Sequence, residues 1–351
     1  MCEAARNDEV AIFEIRMNLR TPRRLLSGPD RRSTGFVTLP ARVELTCSQE
    51  SPRIDVRVEL ENRATDHRLR VLFPTPIVTD TCAAESKFDV VERTVDLPVP
   101  KRSSLPWVAA ATMRPEGACH HDGFVDLSDG KRGLALLTRG LPEYEILSDH
   151  KGRTVALTLL RSVSRFSRGD VRDRPFNAGI PLRVPGAACL GTHVWEYSIL
   201  PHAEGWQEGG VLQQAHQFQQ PFMVSRTDVK KEHIDFLIRA NADDPGPGQF
   251  VKEIPREGPL SPAMSFIIVT PQDIVVSAIK KGSCRKNELV VRLYNPTNQA
   301  VSATIRLFRE ARSCYLLTLS EERLRRLPLS QGNEVKFRCE RKQIVTLGFR
   351  M

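Results

Sequence analysis

Apolar and polar residues alternate with a period of two along most of the chain, the pattern of strands that bury one face. In the segment 56–60, Val56, Val58 and Leu60 fall on one side and Arg57 and Glu59 on the other. Residues 154–160, 193–200, 266–270, 274–279, 288–295, 302–308 and 342–349 read likewise. Short strands bounded by Gly, Pro, Asn and Asp, with few helical periods between them, predict an all-β architecture of packed sheets. Two stretches depart from the pattern. Val211, Leu212, Ala215 and Phe218 recur at helical spacing and Pro221 follows, which predicts a short helix. Residues 321–327 (EERLRRL) are expected to form another short helical or turn segment.

Between the strands the turn chemistry is specific. Asp129-Gly130 supplies the positive φ of a tight hairpin, and Asn295-Pro296 opens a turn at a strand end. In ENRATDH (61–67), Asn62 and Asp66 are suited to cap a turn with their short side chains, Asp66 holding His67 or Arg68. His202 and Trp206 are expected to pack at a loop. The sharpest break is the Pro/Gly-rich run at 243–262, which reads as a linker-like loop. A boundary near residue 265 divides the chain into a large β-domain, 1–265, and a small sandwich of six or seven strands, 266–351. No internal repeat is evident.

The length of 351 residues agrees with two domains at roughly 100–200 residues each. No window holds the ~20 consecutive apolar residues of a membrane-spanning helix, and the charged start MCEAARNDEV lacks an apolar signal core, so a cytoplasmic location is expected. Eight scattered cysteines without a CxxC pair suit reduced thiols better than a disulfide framework. Cys119, His120 and His121 form one local cluster of metal-ligand types, but neighbours on a strand point to opposite faces, so no metal site is assigned there. The formal charge is +9, and 39 of the 51 basic residues are Arg. Arg16, Arg20, Arg23, Arg24, Arg31 and Arg32 form the densest run, which could neutralise phosphates. No helix-turn-helix, zinc-finger or RNP-like motif accompanies it, so a solvated basic surface is expected rather than a nucleic-acid partner.

Five longer motifs, in order, carry a family resemblance. DVRVELENRATDHRLRVLFPT (55–75), FVDLSDGKRGLALLTRGLPEYEIL (124–147), LTLLRSVSRFSRGD (157–170), PGAACLGTHVWEYSILPHAEGW (185–206) and SAIKKGSCRKNELVVRLYNPT (277–297) resemble the C-terminal β-region of family 38 glycoside hydrolases, the α-mannosidases and mannosylglycerate hydrolases. The resemblance implies a large mutarotase-like super-sandwich, whose first strands are expected to be missing, followed by a small immunoglobulin-like β-sandwich. It also implies an N-terminal barrel elsewhere that carries zinc, an aspartate nucleophile and an acid/base carboxylate. A retaining glycosidase needs two carboxylates about 5–5.5 Å apart, and this chain shows neither the barrel nor its His-x-Asp zinc pattern. It is therefore expected to have no catalytic residues or cofactor of its own, to be inactive alone, and to act with a barrel supplied in cis or in trans on an α-mannoside.

The loop RSVSRFSRGDVRDRP (161–175) is dense in Arg and Asp and follows an apolar strand, a composition suited to hydrogen-bonding sugar hydroxyls or an anionic aglycone. In the resembled family a loop at this place reaches towards the barrel's cleft, so the resemblance makes Arg168, Asp170 and Arg172 candidate substrate contacts. A salt-bridge role between domains is an equal alternative. Three further readings stand beside this one: a free-standing carbohydrate-binding or interaction module, a remnant of a truncated gene, and a sugar epimerase. The epimerase would need paired acid/base groups, and His193 with Glu196 is the nearest pair, on opposite faces of a regular strand.

Overall fold

The computed structural model describes residues 2–26, 31–97, 117–149, 152–170, 177–223, 263–283 and 285–351. The chain divides into two compact units: Met1–Gln219 with Tyr294–Val301 and Glu340–Ile344, and Gln220–Leu293 with Ser302–Cys339 and Val345–Met351. The linker-like run 243–262 lies outside the described residues.

The first unit contains, in chain order, β1 (Cys2–Arg6), β2 (Val10–Pro22), β3 (Phe36–Ser48), β4 (Ile54–Asn62), β5 (His67–Thr75), β6 (Thr81–Ser86), β7 (Asp89–Thr94), β8 (Ala118–His120), β9 (Phe124–Ser128), β10 (Arg132–Arg139), β11 (Glu143–Asp149), β12 (Gly152–Ser162) and β13 (Gly191–Ala203). A nine-stranded sheet runs β1-β2-β3-β4-β13-β10-β9-β6-β7, and a four-stranded sheet runs β5-β12-β11-β8. Register explains why the alternation was so clear. Ile15 pairs with Val43, Val43 with Val58, and Val58 with Trp195, so one apolar row crosses four strands. The neighbouring row, Glu14, Glu44, Arg57, Glu196 and Arg139, faces the other way and is charged throughout. A slip of one residue would exchange the two rows, so burial of one face fixes the register.

The apolar face closes against the second sheet. Val56, Val58, Val125, Leu127, Leu136 and Tyr197 from the nine-stranded sheet meet Tyr144, Ile146, Val155 and Leu157 from the four-stranded one. Phe73 and Tyr197 touch edge to face across the layers at 5.7 Å. Each such side chain, fully removed from water, contributes about 1.5–3 kcal/mol. The helix expected from the sequence forms as α1 (Val211–Gln219), and the four residues at helical spacing, Val211, Leu212, Ala215 and Phe218, are the ones it buries. It packs on β10, whose Leu136 joins the inner core while Ala135 and Leu137 are also fully buried. Burial of both sides gives this strand its continuous apolar run. The hairpin at Asp129-Gly130 also forms: Gly130 has φ +81°, and Asp129 Oδ1 accepts from the backbone N–H groups of Lys131 and Arg132, each at 3.0 Å.

The second unit is built on a three-stranded sheet, β14 (Ile267–Thr270), β17 (Val301–Leu307) and β20 (Glu334–Cys339). With it goes a five-stranded sheet ordered β15 (Val275–Lys281), β16 (Glu288–Tyr294), β21 (Ile344–Arg350), β18 (Ser313–Leu317) and β19 (Arg323–Leu327). The expectation of a helix or turn at 321–327 is corrected here, because 323–327 is an edge strand paired antiparallel with β18. Three arginines in five residues mimic a helical surface in sequence. In space they suit the outer edge of a sheet, where Arg323 stacks 3.9 Å above the ring of Tyr315.

Candidate functional site

The site is built where β4 and β12 end. Asn62 is buried and bridges three groups: its Oδ1 accepts from the Ala64 N–H at 3.1 Å, and its Nδ2 donates to the carbonyls of Ala188 and Cys189 at 3.2 and 2.7 Å. This fixes the turn after β4 against the chain that enters β13. Asp66, at φ +60°, then directs its carboxylate across to the loop after β12. It accepts from the Ser164 N–H at 2.9 Å and the Ser164 hydroxyl at 2.7 Å, with the Thr65 hydroxyl at 3.1 Å. Burial pushes the Asp66 carboxyl up, but the hydrogen bonds from Ser164 and Thr65, with the charge of Arg168, win and hold it below the usual carboxylate range. The expectation that Asp66 holds His67 or Arg68 is thus corrected. Arg68 instead reaches Glu143 and Glu145, at 3.5 and 3.3 Å.

Beyond Ser164 the loop doubles back as a short ribbon. Val184 donates to the Ser164 carbonyl and Phe166 to the Leu182 carbonyl, both at 2.9 Å, and Arg165 and Arg183 sit directly opposite each other. Arg168 closes the end of the ribbon with a two-pronged bond to Asp170, Nε to Oδ1 at 2.8 Å and Nη2 to Oδ2 at 2.6 Å. That hydrogen bond raises the guanidinium's pKa further, against the opposing effect of burial. The ribbon and the turn enclose an open cavity of about 670 Å³ whose walls include Arg24, Asp66, Arg165, Arg168, Asp170 and Arg183. A second cavity of about 630 Å³ adjoins it, sharing Asp66, Arg165 and Arg168 and adding His67. Burial, helped by the charge of Arg32, holds the His67 imidazole below its ordinary value and so neutral at pH 7.

Two of the three residues singled out from the sequence, Arg168 and Asp170, therefore meet in one cavity wall, as partners of each other. Arg172 lies outside the described residues. Arg183 was missed. It has no local motif in PLRVP, and only the pairing of the ribbon brings it opposite Arg165.

The other chemical candidates do not assemble into sites. His193 Nε2 donates to the Cys189 carbonyl, 2.8 Å away, and the ring stacks on Trp195. Glu196 is paired with Arg139. The two never share a locus, so the acid/base pair an epimerase needs is not formed by them. His121 is buried with Nε2 2.9 Å from the Thr138 hydroxyl, while His120 is exposed and 4.0 Å from Asp122. His202 is no loose loop residue, since its Nε2 lies 2.7 Å from the buried carboxylate of Asp126. Trp206 lies against Phe124. Among the described residues no three His, Cys, Asp or Glu side chains come together in a way that could hold a metal ion.

The chain is an all-β protein of two units, the first a sandwich with a charged ribbon at one end, and comparison with known proteins says to which family such a β-region belongs. Residues 32–169 match the family description "Glycosyl hydrolases family 38 C-terminal domain", and residues 273–347 match "Glycosyl hydrolases family 38 C-terminal beta sandwich domain". Together the two stretches take up more than half of the chain, which belongs to family 38 of the glycosyl hydrolases, in its C-terminal β-region. The chain is 29% identical over 330 residues to a protein of Halalkalibacterium halodurans described as "Putative mannosylglycerate hydrolase", covering 93% of this chain and 30% of that protein. Among solved structures, a family 38 protein from Enterococcus faecalis superposes with a TM-score of 0.70 at 23% identity, covering 97% of this chain and 35% of the other. An alpha-mannosidase from Enterococcus faecalis V583 gives 0.72 at 23% identity, covering 99% and 34%. The chain thus spans about a third of the length of the relatives it matches.

Proposed function

We propose that the chain is the non-catalytic β-region of an α-mannoside hydrolase of the retaining, zinc-dependent kind, acting with a catalytic barrel joined to it or supplied by another chain. The observation that carries this reading is the match to both C-terminal domains of the family in the right order, along 93% of the chain in the mannosylglycerate hydrolase relative. The sequence boundary near residue 265 then separates its two β-domains.

In this role the ribbon after β12 is the contact towards substrate. Arg168 and Asp170 present a preset donor–acceptor pair, the arrangement that recognises vicinal sugar hydroxyls, and Asp66 holds the ribbon through Ser164. Zinc and both reacting carboxylates belong to the barrel. The reading places the protein in mannose metabolism in the cytoplasm. Two structural facts support that address: no helix among the described residues is long and apolar enough to cross a membrane, and Cys47, Cys82, Cys119, Cys189, Cys314 and Cys339 are free thiols.

The test is hydrolysis of an aryl α-mannoside by the chain alone and by the chain together with a family 38 barrel. Turnover is expected only with the barrel, and Arg168→Ala is expected to lower kcat/KM about tenfold there. Turnover by the chain alone, or an Arg168→Ala complex as active as the parent, overturns the reading.

A further inference from the structure

We propose that the cavity walled by Arg24, Arg165, Arg168 and Arg183 is a binding site for a small ligand bearing a dianionic phosphate group. This inference does not rest on the hydrolase reading, because it concerns a property of the chain by itself.

Charge is the first argument. Among the described residues, four guanidiniums and two carboxylates, Asp66 and Asp170, line the cavity, an excess of two positive charges in that set. Both carboxylates are already engaged, Asp170 by Arg168 and Asp66 by Ser164. Arg24, Arg165 and Arg183 form no ion pair among the described residues, and the one bond the Arg165 guanidinium makes is a long one, 3.4 Å to the Pro181 carbonyl. Elsewhere in the unit Arg42, Arg53, Arg57 and Arg139 each face a carboxylate, while Arg20, Arg32 and Arg93 meet a ring, a carbonyl and a hydroxyl instead, so what distinguishes the cavity is that its arginines converge on one space.

Geometry is the second. Arg165 and Arg183 are direct cross-strand partners in the ribbon, so their side chains leave the same face side by side. Like charges in that position repel and destabilise a ribbon unless an anion sits between them. Guanidiniums have a planar fork of donors that matches phosphate oxygens, and a phosphomonoester carries −1.5 to −2 charges at pH 7, which answers the excess of two. A volume of about 670 Å³ is ample for a phosphate carried on a sugar-sized body.

The experiment is isothermal titration of the full chain with inorganic phosphate, a hexose 6-phosphate, the same hexose without phosphate, and acetate. Saturable binding of both phosphates is expected, with the neutral hexose silent and acetate at least tenfold weaker. Replacing the exposed pair, Arg165→Gln with Arg183→Gln, is expected to weaken phosphate at least tenfold, while Arg57→Gln on the distant sheet face changes nothing. Should the double variant fail to fold, Arg24→Gln alone serves, with a several-fold loss expected. The proposal is overturned by absent phosphate binding, by hexose or acetate binding as tightly, or by Gln variants that keep parental affinity.

Discussion

Two cation–carboxylate pairs of the first unit have nearly the same length and opposite meanings. His202 Nε2 lies 2.7 Å from Asp126 Oδ1, and Arg168 Nη2 lies 2.6 Å from Asp170 Oδ2. The first pair is sealed, with side chains only 3% and 2% exposed. It is so tightly enclosed that a Cβ on Gly133 would stand 2.1 Å from the imidazole. The second opens on a cavity whose other arginines form no ion pair among the described residues. Burial therefore separates a strut from a site: the same chemistry that only holds strands together when dry becomes available to a ligand at the mouth of a cleft.

The comparison breaks first at the sealed pair. Removing one partner strands the other in a dry interior, so Asp126→Ala is expected to cost about 3–5 kcal/mol in urea unfolding. A loss below about 1 kcal/mol would mean that water reaches His202 and that the two pairs differ little. Its pH dependence has a definite sign. Burial alone would lower the His202 pKa, but the hydrogen bond and charge of Asp126 raise it above its ordinary value near 6.5. The stabilisation is thus full below pH 6.5 and fades as pH rises through the higher folded value.

A second buried histidine has the opposite sign and separates the two cases. Burial, with the charge of His120, pushes His121 down to about 4. Its neutral form stabilises the fold above pH 6.5, and that contribution disappears as pH falls towards 4. The shift corresponds to about 3 kcal/mol. In His121→Gln, whose amide can still reach Thr138, the loss of stability between pH 6.5 and 4 is expected to be shallower by that amount. Parallel curves for parent and variant would show that His121 titrates as if solvated.

Next in size is the staple that aims the open pair. Asp66→Ala removes the acceptor of both Ser164 bonds and leaves a β-carbon residue at φ +60°, a combined loss of about 2 kcal/mol. Asp66→Gly loses the same bonds but relieves the backbone, and Asp66→Asn tolerates the φ and keeps an acceptor. The expected order of thermal stability is therefore Asn, then Gly, then Ala. If Gly is no better than Ala, the backbone conformation contributes nothing.

The sequence revealed the fold far better than the site, for a physical reason. Strands such as β4 show their burial directly, since every second residue from Val56 to Asn62 faces the core. The helix α1 was equally visible because its four apolar residues all serve one face. Residues 321–327 misled because an edge strand needs no apolar alternation when one rim is solvent. The site depended on long-range pairing instead. Arg168 and Asp170 were visible as a dense local cluster, but Arg183 joins Arg165 only through the ribbon, and Arg24 arrives from the far end of β2. No local motif encodes either approach.

The smallest effect contrasts an arginine paired on the outer face with one that lines the cavity. Arg57 lies on the charged outer row with Glu59 at 3.3 Å, and both side chains are about 40% exposed. Water screens such a pair, and holding two long side chains in one geometry costs entropy, so Arg57→Ala is expected to change stability by no more than about 0.5 kcal/mol. In the cleft the expected sign is reversed. Arg183→Gln removes a like charge from opposite Arg165 and should leave the ligand-free chain equally stable or slightly more so, by a few tenths of a kcal/mol. Thermal melts of the two variants, with and without 10-fold dilution of salt, check this, since repulsion grows as screening falls. If Arg183→Gln instead destabilises the chain more than Arg57→Ala does, the guanidinium is a structural member of the ribbon and the contrast between strut and site fails at this residue.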